Sequence, residues 1–156
     1  MKRSSKSRRG SAITYLDLDD ALSIASRLFG LPLPIRDIGL LGSALARPQT
    51  SVGGKDAYES IWEKAAALLI SVVNNHSLID GNKRLGWVCT AVFCELNSCS
   101  LSKVSNDNVY ELVMFVASSN PDVATILGIG IATVKTHLIH IFEKLGLENR
   151  AAADRK

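Results

Sequence analysis

Ile61, Ala65, Leu68, Leu69, Val72 and Val73 fall at i, i+4, i+7, i+8, i+11 and i+12, and this row constrains the fold more than any other feature of the chain. Helical geometry gathers those side chains into one broad stripe, whereas a strand would need a period of two. A helix is expected over residues 57–75, and so apolar a face requires other helices to cover it. The flanking text supplies them. Asp17 is a natural N-cap, and Asp19 and Asp20 suit the positive start of a helix. Ala21, Leu22, Ala25, Leu28 and Phe29 follow at helical spacing until Gly30, Pro32 and Pro34 end the run. A short apolar helix is expected over residues 38–46, stopping before Pro48, and residues 49–56 read as a loop. Another helix should begin near Lys83 and turn Val88, Val92 and Leu96 inward as far as Asn97. A further one, capped by Asn106 or Asp107, should reach about residue 117. Strand-like alternation is absent, and the expected fold class is all-α.

Composition narrows the setting. With 47% hydrophobic and 21% charged residues in 156, the chain is ordinary globular material and not a disordered one. No apolar run approaches the roughly 20 residues of a membrane span, and the basic N-terminus has no apolar stretch behind it of the kind a secretory signal carries. Cys89, Cys94 and Cys99 stand five apart without a CxxC pair, which fits neither a zinc site nor a disulfide framework. Reduced thiols in a cytoplasmic protein are expected, with Cys89 and Cys94 as small core residues. Charge is segregated: residues 1–10 carry +5, residues 11–134 carry −4 and residues 135–156 carry +2. The expected organisation is a basic arm over residues 1–13, a helical domain over 14–119 and a C-terminal extension over 120–156. The arm could hold phosphates nonspecifically, but a solvated tail accounts for it as well.

The connector His76-Ser77-Leu78-Ile79-Asp80-Gly81-Asn82-Lys83-Arg84 carries the chemistry. Gly81 and Asn82 tolerate positive φ, so successive amides can converge on an anion and lead into the N-terminus of the next helix. Lys83 and Arg84 add cations where the helix dipole opposes them, a conflict that a bound polyphosphate would remove. Asp80 would repel phosphate unless a divalent cation bridges the two, so it reads as a magnesium ligand. His76, at the preceding helix end, can orient or deprotonate a hydroxyl. A polar loop with a capping Asp and solvated cations explains the same letters, and the residues alone leave both readings open.

Family resemblance adds to this. His76-x-Leu78-x-Asp80-Gly81-Asn82-Lys83-Arg84 resembles the Fic/Doc signature, H-x-F-x-[DN]-[AG]-N-[KR]-R in the Doc branch. Tyr15-Leu16-x-Leu18-x-Asp20, Asp37-Ile38-Gly39-Leu40-Leu41-x-Ser43-Ala44-Leu45-Ala46-Arg47-Pro48-Gln49, Glu63-Lys64-Ala65-Ala66-Ala67-Leu68-Leu69 and Phe93-x-Glu95-Leu96-Asn97 resemble the Doc ("death on curing") toxins in the same order, over residues 15 to about 118. The resemblance implies a compact Fic/Doc-like helical bundle and the toxin of a toxin–antitoxin pair, held in check by a Phd-type antitoxin. Fic relatives transfer AMP from ATP to a protein hydroxyl. Doc members resemble them in fold, bind the nucleotide in reverse and act as protein kinases, with elongation factor Tu as the implied target. Lys83 replaces the second Gly of the Fic H-x-F-x-x-G-N-G-R pattern, and its side chain should obstruct the usual seat of the inner phosphates. Phosphoryl transfer from ATP with Mg2+ is therefore expected over adenylylation. The implied roles are His76 as base, Asp80 on the metal, and Gly81, Asn82, Lys83 and Arg84 around the phosphates. Leu78 stands where an aromatic is usual, so the loop is expected to sit less firmly, and Asn74 stands where Doc relatives often carry a basic residue. The [ST]-x-x-x-E-[GN] inhibitory motif is absent, since Lys144 precedes Glu148-Asn149 at the Ser/Thr place.

From about Asp122 the text changes. Asp122-Val123-Ala124-x-x-Leu127-Gly128-Ile129 and Thr133-Val134-Lys135-Thr136-His137-Leu138-x-x-Ile141-x-x-Lys144-Leu145-Gly146 resemble the helix-turn-helix of LuxR-type regulators. That resemblance would turn Thr133, Lys135 and His137 toward DNA. A charge near +2 is thin for a nucleic-acid reader, which favours a tail packed on the toxin core or loosely attached to it. An inactive core serving as a DNA-binding regulator is the competing reading.

Overall fold

A computed structural model describes residues 12–119, and each helix in it begins at a side chain that satisfies its orphan amides or at a glycine that turns the chain. In α1 (Leu18–Phe29) the reciprocal pair Asp17–Asp20 forms a capping box: Asp20 N donates to Asp17 Oδ1 at 2.8 Å, and Asp17 N donates to Asp20 Oδ2 at 2.9 Å. Asp37 does the same for α2 (Ile38–Ala46), accepting from Gly39 N and Leu40 N at 2.9 and 3.2 Å. Pro48 then tightens the chain into a 3-10 turn, Arg47–Gln49.

Residues 49–56, expected as a loop, contain a small ribbon instead. Strands β1 (Ser51–Val52) and β2 (Lys55–Asp56) pair antiparallel around Gly53 and Gly54, whose φ of 58° and 78° suit a primed hairpin turn. Two-residue strands are too short to show alternation in a sequence.

The central helix is α3 (Ile61–Asn74). It starts four residues later than expected, because Ser60 accepts from Glu63 N at 3.1 Å and fixes the N-terminus there. Burial covers nearly its whole circumference: besides Ala65, Leu68, Leu69, Val72 and Val73, the side chains of Lys64, Ala66, Ala67 and Ser71 are enclosed. Lys64 keeps its charge by donating to Asp56 Oδ2 at 3.1 Å and Pro48 O at 3.4 Å, and by lying 5.7 Å from the Tyr15 ring centre. Burial works against the ammonium, but the Asp56 carboxylate and Tyr15 outweigh it and hold its pKa above the usual lysine value. One ion pair thus ties the ribbon to the core.

Helix α4 (Asn82–Leu96) packs most extensively on α3. Its inward face differs from the expected Val88, Val92 and Leu96: Leu85, Gly86, Cys89, Thr90, Phe93 and Cys94 are buried, the two valines are half-exposed and Leu96 is exposed. Gly86 decides this, because a Cβ there would stand 2.6 Å from Val73 Cγ2, so only the glycine side of α4 can approach α3. Cys89 and Cys94 are core residues as expected, and burial pushes both thiols up to about 12. In α5 (Asn106–Ser119) the cap is Ser105, whose Oγ accepts from Asn108 N at 3.2 Å, in place of Asn106 or Asp107. The described architecture is helical, and no helix within it is long and apolar enough to cross a membrane.

Candidate active site

The residues between α3 and α4 form a loop shaped by two left-handed backbones, His76 at φ 51° and Gly81 at φ 93°. Asn82 braces it from within: its Oδ1 accepts from Leu78 N at 2.9 Å, and its Nδ2 donates to Leu78 O at 3.0 Å. From outside, the connector before α2 pairs with it. Arg36 N and Asp37 N donate to Ser77 O at 2.8 and 3.0 Å, Ile79 N donates to Pro34 O at 2.8 Å, and Ile35 and Leu78 form an antiparallel bridge. Leu78 is 1% exposed. Leu78, standing where an aromatic is usual, is thus fully enclosed, with its N–H and C=O both paired to the Asn82 side chain.

This bracing presents His76, Ile79, Asp80, Gly81, Asn82, Lys83 and Arg84 to one side of a cleft of about 660 Å³. Trp87 from α4 and Val109, Tyr110, Val113, Met114 and Ala117 from α5 form its apolar wall. Asn74, the last residue of α3, also lines the cleft and donates to Val116 O at 3.2 Å, so it fastens α5 to the end of α3. The structure thus gathers every site residue expected between His76 and Arg84 in one place. It adds the α5 wall and Trp87, which carried no signal in the sequence because an apolar helix face reads the same whether it covers a core or lines a cleft.

Asp80 is exposed, and its Oδ1 accepts from Gly81 N at 2.8 Å. Gly81's own amide is therefore committed, and the expected anion nest narrows to the first amides of α4, those of Asn82, Lys83 and Arg84, which no side chain caps. Gly81 has a steric duty as well: a Cβ would lie 2.5 Å from Phe29 Cζ. The same ring lies beneath Arg84, whose guanidinium carbon is 5.5 Å from the ring centre. Lys83 and Arg84 stay exposed at the mouth. Among the described residues no group of three His, Cys, Asp or Glu side chains could hold a metal, so Asp80 would need ligands from elsewhere.

Residues 15–94 match the Fic/DOC family. This chain belongs to the Fic/DOC family. A relative named Toxin Doc, from Mycolicibacterium smegmatis (strain ATCC 700084 / mc(2)155), is 44% identical over 113 residues, which cover 72% of this chain and 87% of the relative. Residues 114–155 match the luxR family of bacterial regulatory proteins. No solved structure matches the chain.

The Fic/DOC match contains α1, α2, α3, the whole loop and most of α4, and ends before α5 begins. The luxR match starts at Met114, inside α5 and within the cleft wall, so it begins on a helix that belongs to the site. Thr133, Lys135 and His137, expected to face DNA, lie outside the described residues, as do residues 1–11 of the basic arm.

Proposed function

We propose that this Fic/DOC protein is the toxin of a toxin–antitoxin pair and a protein kinase that transfers the γ-phosphoryl group of ATP to a hydroxyl of a translation factor resembling elongation factor Tu. The carrying observation is Lys83: it lines the cleft at the start of α4, where an adenylylating relative has glycine and seats the inner phosphates. In this reading His76 takes the proton of the target hydroxyl, whose oxygen attacks the γ-phosphorus as the bond to the β–γ bridging oxygen breaks and ADP departs. The uncapped amides of α4, with Lys83 and Arg84, stabilise charge on the transferred group. Asp80 is the carboxylate that would hold magnesium, and a single carboxylate suits an ion that arrives with its nucleotide and is otherwise ligated by phosphate oxygens and water. When bound, that ion neutralises developing phosphate charge. The apolar α5 wall suits the base of the nucleotide.

The Toxin Doc relative supports the toxin role and, with it, a Phd-type antitoxin that silences the protein. The test is label transfer: γ-labelled ATP should mark the translation factor, α-labelled ATP should not, and His76→Ala should abolish the signal. Label from the α position would establish adenylylation instead. The luxR match favours a second reading, a DNA-binding regulator on an inactive core, with 14–119 and 120–156 as separate functional units. A salt-dependent gel shift lost on Lys135→Ala, without phosphotransfer, would establish it.

A further inference from the structure

His76 raises a question that its membership of the cleft does not answer. A non-glycine residue at φ 51° is in the disfavoured left-handed region and keeps that conformation only where its surroundings over-determine it. The two peptide planes on either side of its Cα set φ and ψ, and their visible handles are the carbonyls of Asn75 and His76. One side chain reaches both. Arg36 Nε donates to His76 O at 2.7 Å, Arg36 Nη2 donates to the same oxygen, and Nη2 also lies 3.5 Å from Asn75 O. The last separation is long for a hydrogen bond and acts as an electrostatic tether.

Arg36 is itself well anchored. Its backbone amide donates to Ser77 O, so the residue grips the loop on both sides of the His76–Ser77 peptide. The next residue, Asp37, caps α2, and Asn75 Nδ2 donates to Leu40 O at 3.2 Å in the first turn of that helix. The clamp therefore transmits the rigidity of the α2 start to the end of α3. The guanidinium is a planar fork with its donors at fixed angles, which an ammonium cannot copy.

We infer that Arg36 is a positioning residue for His76: its guanidinium, spanning the Asn75 and His76 carbonyls, locks the histidine in the left-handed conformation that presents the imidazole to the cleft. This rests on the proposed phosphoryl transfer for its catalytic meaning, but the conformation can be read independently. Arg36 lies outside the cleft lining, so its removal should spare nucleotide binding.

The experiment uses the full chain with Arg36→Ala and Arg36→Lys. The φ-sensitive NMR couplings of His76, ATP affinity by titration calorimetry, and kcat for label transfer are measured together. In Arg36→Ala the couplings should leave the left-handed range, and kcat should fall about 10- to 100-fold, the usual effect of misplacing a reacting group by an ångström. The ATP dissociation constant should stay within about threefold, since binding and orientation are separate contributions. Arg36→Lys should behave like Arg36→Ala, and it carries the test if the alanine variant fails to fold. Unchanged couplings overturn the inference, as do altered couplings with kcat intact, or full recovery in Arg36→Lys. If the wild type transfers no label, the kinase reading falls and the couplings alone decide: His76 still left-handed in both variants overturns the positioning role, and its release supports it.

Discussion

Gly81→Ala tests how the loop and α1 fit together, because two separate costs meet at one atom. The backbone there has φ 93°, which an L-residue adopts at a cost of about 1–2 kcal/mol. The new Cβ would also stand 2.5 Å from Phe29 Cζ and 2.6 Å from Cε1, so the ring must move, and overpacking of this kind costs about 1–3 kcal/mol. That ring cannot swing freely, since it lies under the Arg84 guanidinium at the end of α1. A destabilisation of about 3 kcal/mol is expected, equivalent to a Tm lower by about 6–12 °C for a chain of this size. Urea unfolding followed by circular dichroism measures it without reference to activity. Repeating the substitution in a Phe29→Ala background separates the costs: only the backbone part, about 1–2 kcal/mol, should remain. A loss below about 0.5 kcal/mol in the first case, or an identical loss in both backgrounds, would refute the reasoning.

Other outcomes follow from the same geometry. Asp56→Asn leaves the Lys64 ammonium buried without its carboxylate and should cost about 2 kcal/mol, reduced from the fully buried case because Asp56 is more than half exposed; Lys64→Met, which removes the charge, should cost less in the same denaturation assay. Ser77 Oγ is enclosed and has no partner among the described residues, so Ser77→Ala should leave stability equal or raise it by about 1 kcal/mol, and a loss above that amount would reveal a bond not accounted for. The Cys89 and Cys94 thiols, raised to about 12 by burial, hold their protons more tightly in the folded than in the unfolded chain. Stability should therefore be flat below about pH 8 and fall as pH rises through 9 toward 12, by about 1.4 kcal/mol per unit for each thiol. The raised Lys64 value adds a loss of the same sign at the alkaline end. Urea midpoints at pH 8 and 10.5 check this; burial raises Cys99 in the same direction, and Cys94→Ala should make the slope shallower without abolishing it.

How far these features could be read from the letters depends on whether their cause is local. Caps and periodicity are local, so the five helices were legible, and α3 most of all because its apolar stripe runs over three turns. Helix α4 shows where this ends. Leu85, Cys89 and Phe93 form a row with the same spacing as Val88, Val92 and Leu96, and periodicity cannot choose between two apolar rows. The choice was made by contact between Gly86 and Val73, a tertiary event. In the loop, the residue types between His76 and Arg84 were readable as chemistry, but Asp80's use of the Gly81 amide was not. Nor was Arg36, whose partners are backbone carbonyls about forty positions away and leave no trace in residue identity.

The antiparallel stitch between residues 34–37 and 77–79 has a consequence for the birth of the protein. Contacts of such sequence separation form late, since the intervening chain must first be ordered. While the segment that follows Arg36 is still emerging from the ribosome, the loop carrying His76 has not been made. A truncated or half-assembled product that ends before it therefore has the strut and nothing to brace, and the His76 loop can take its folded shape only once α3 and the segment beyond it have been made.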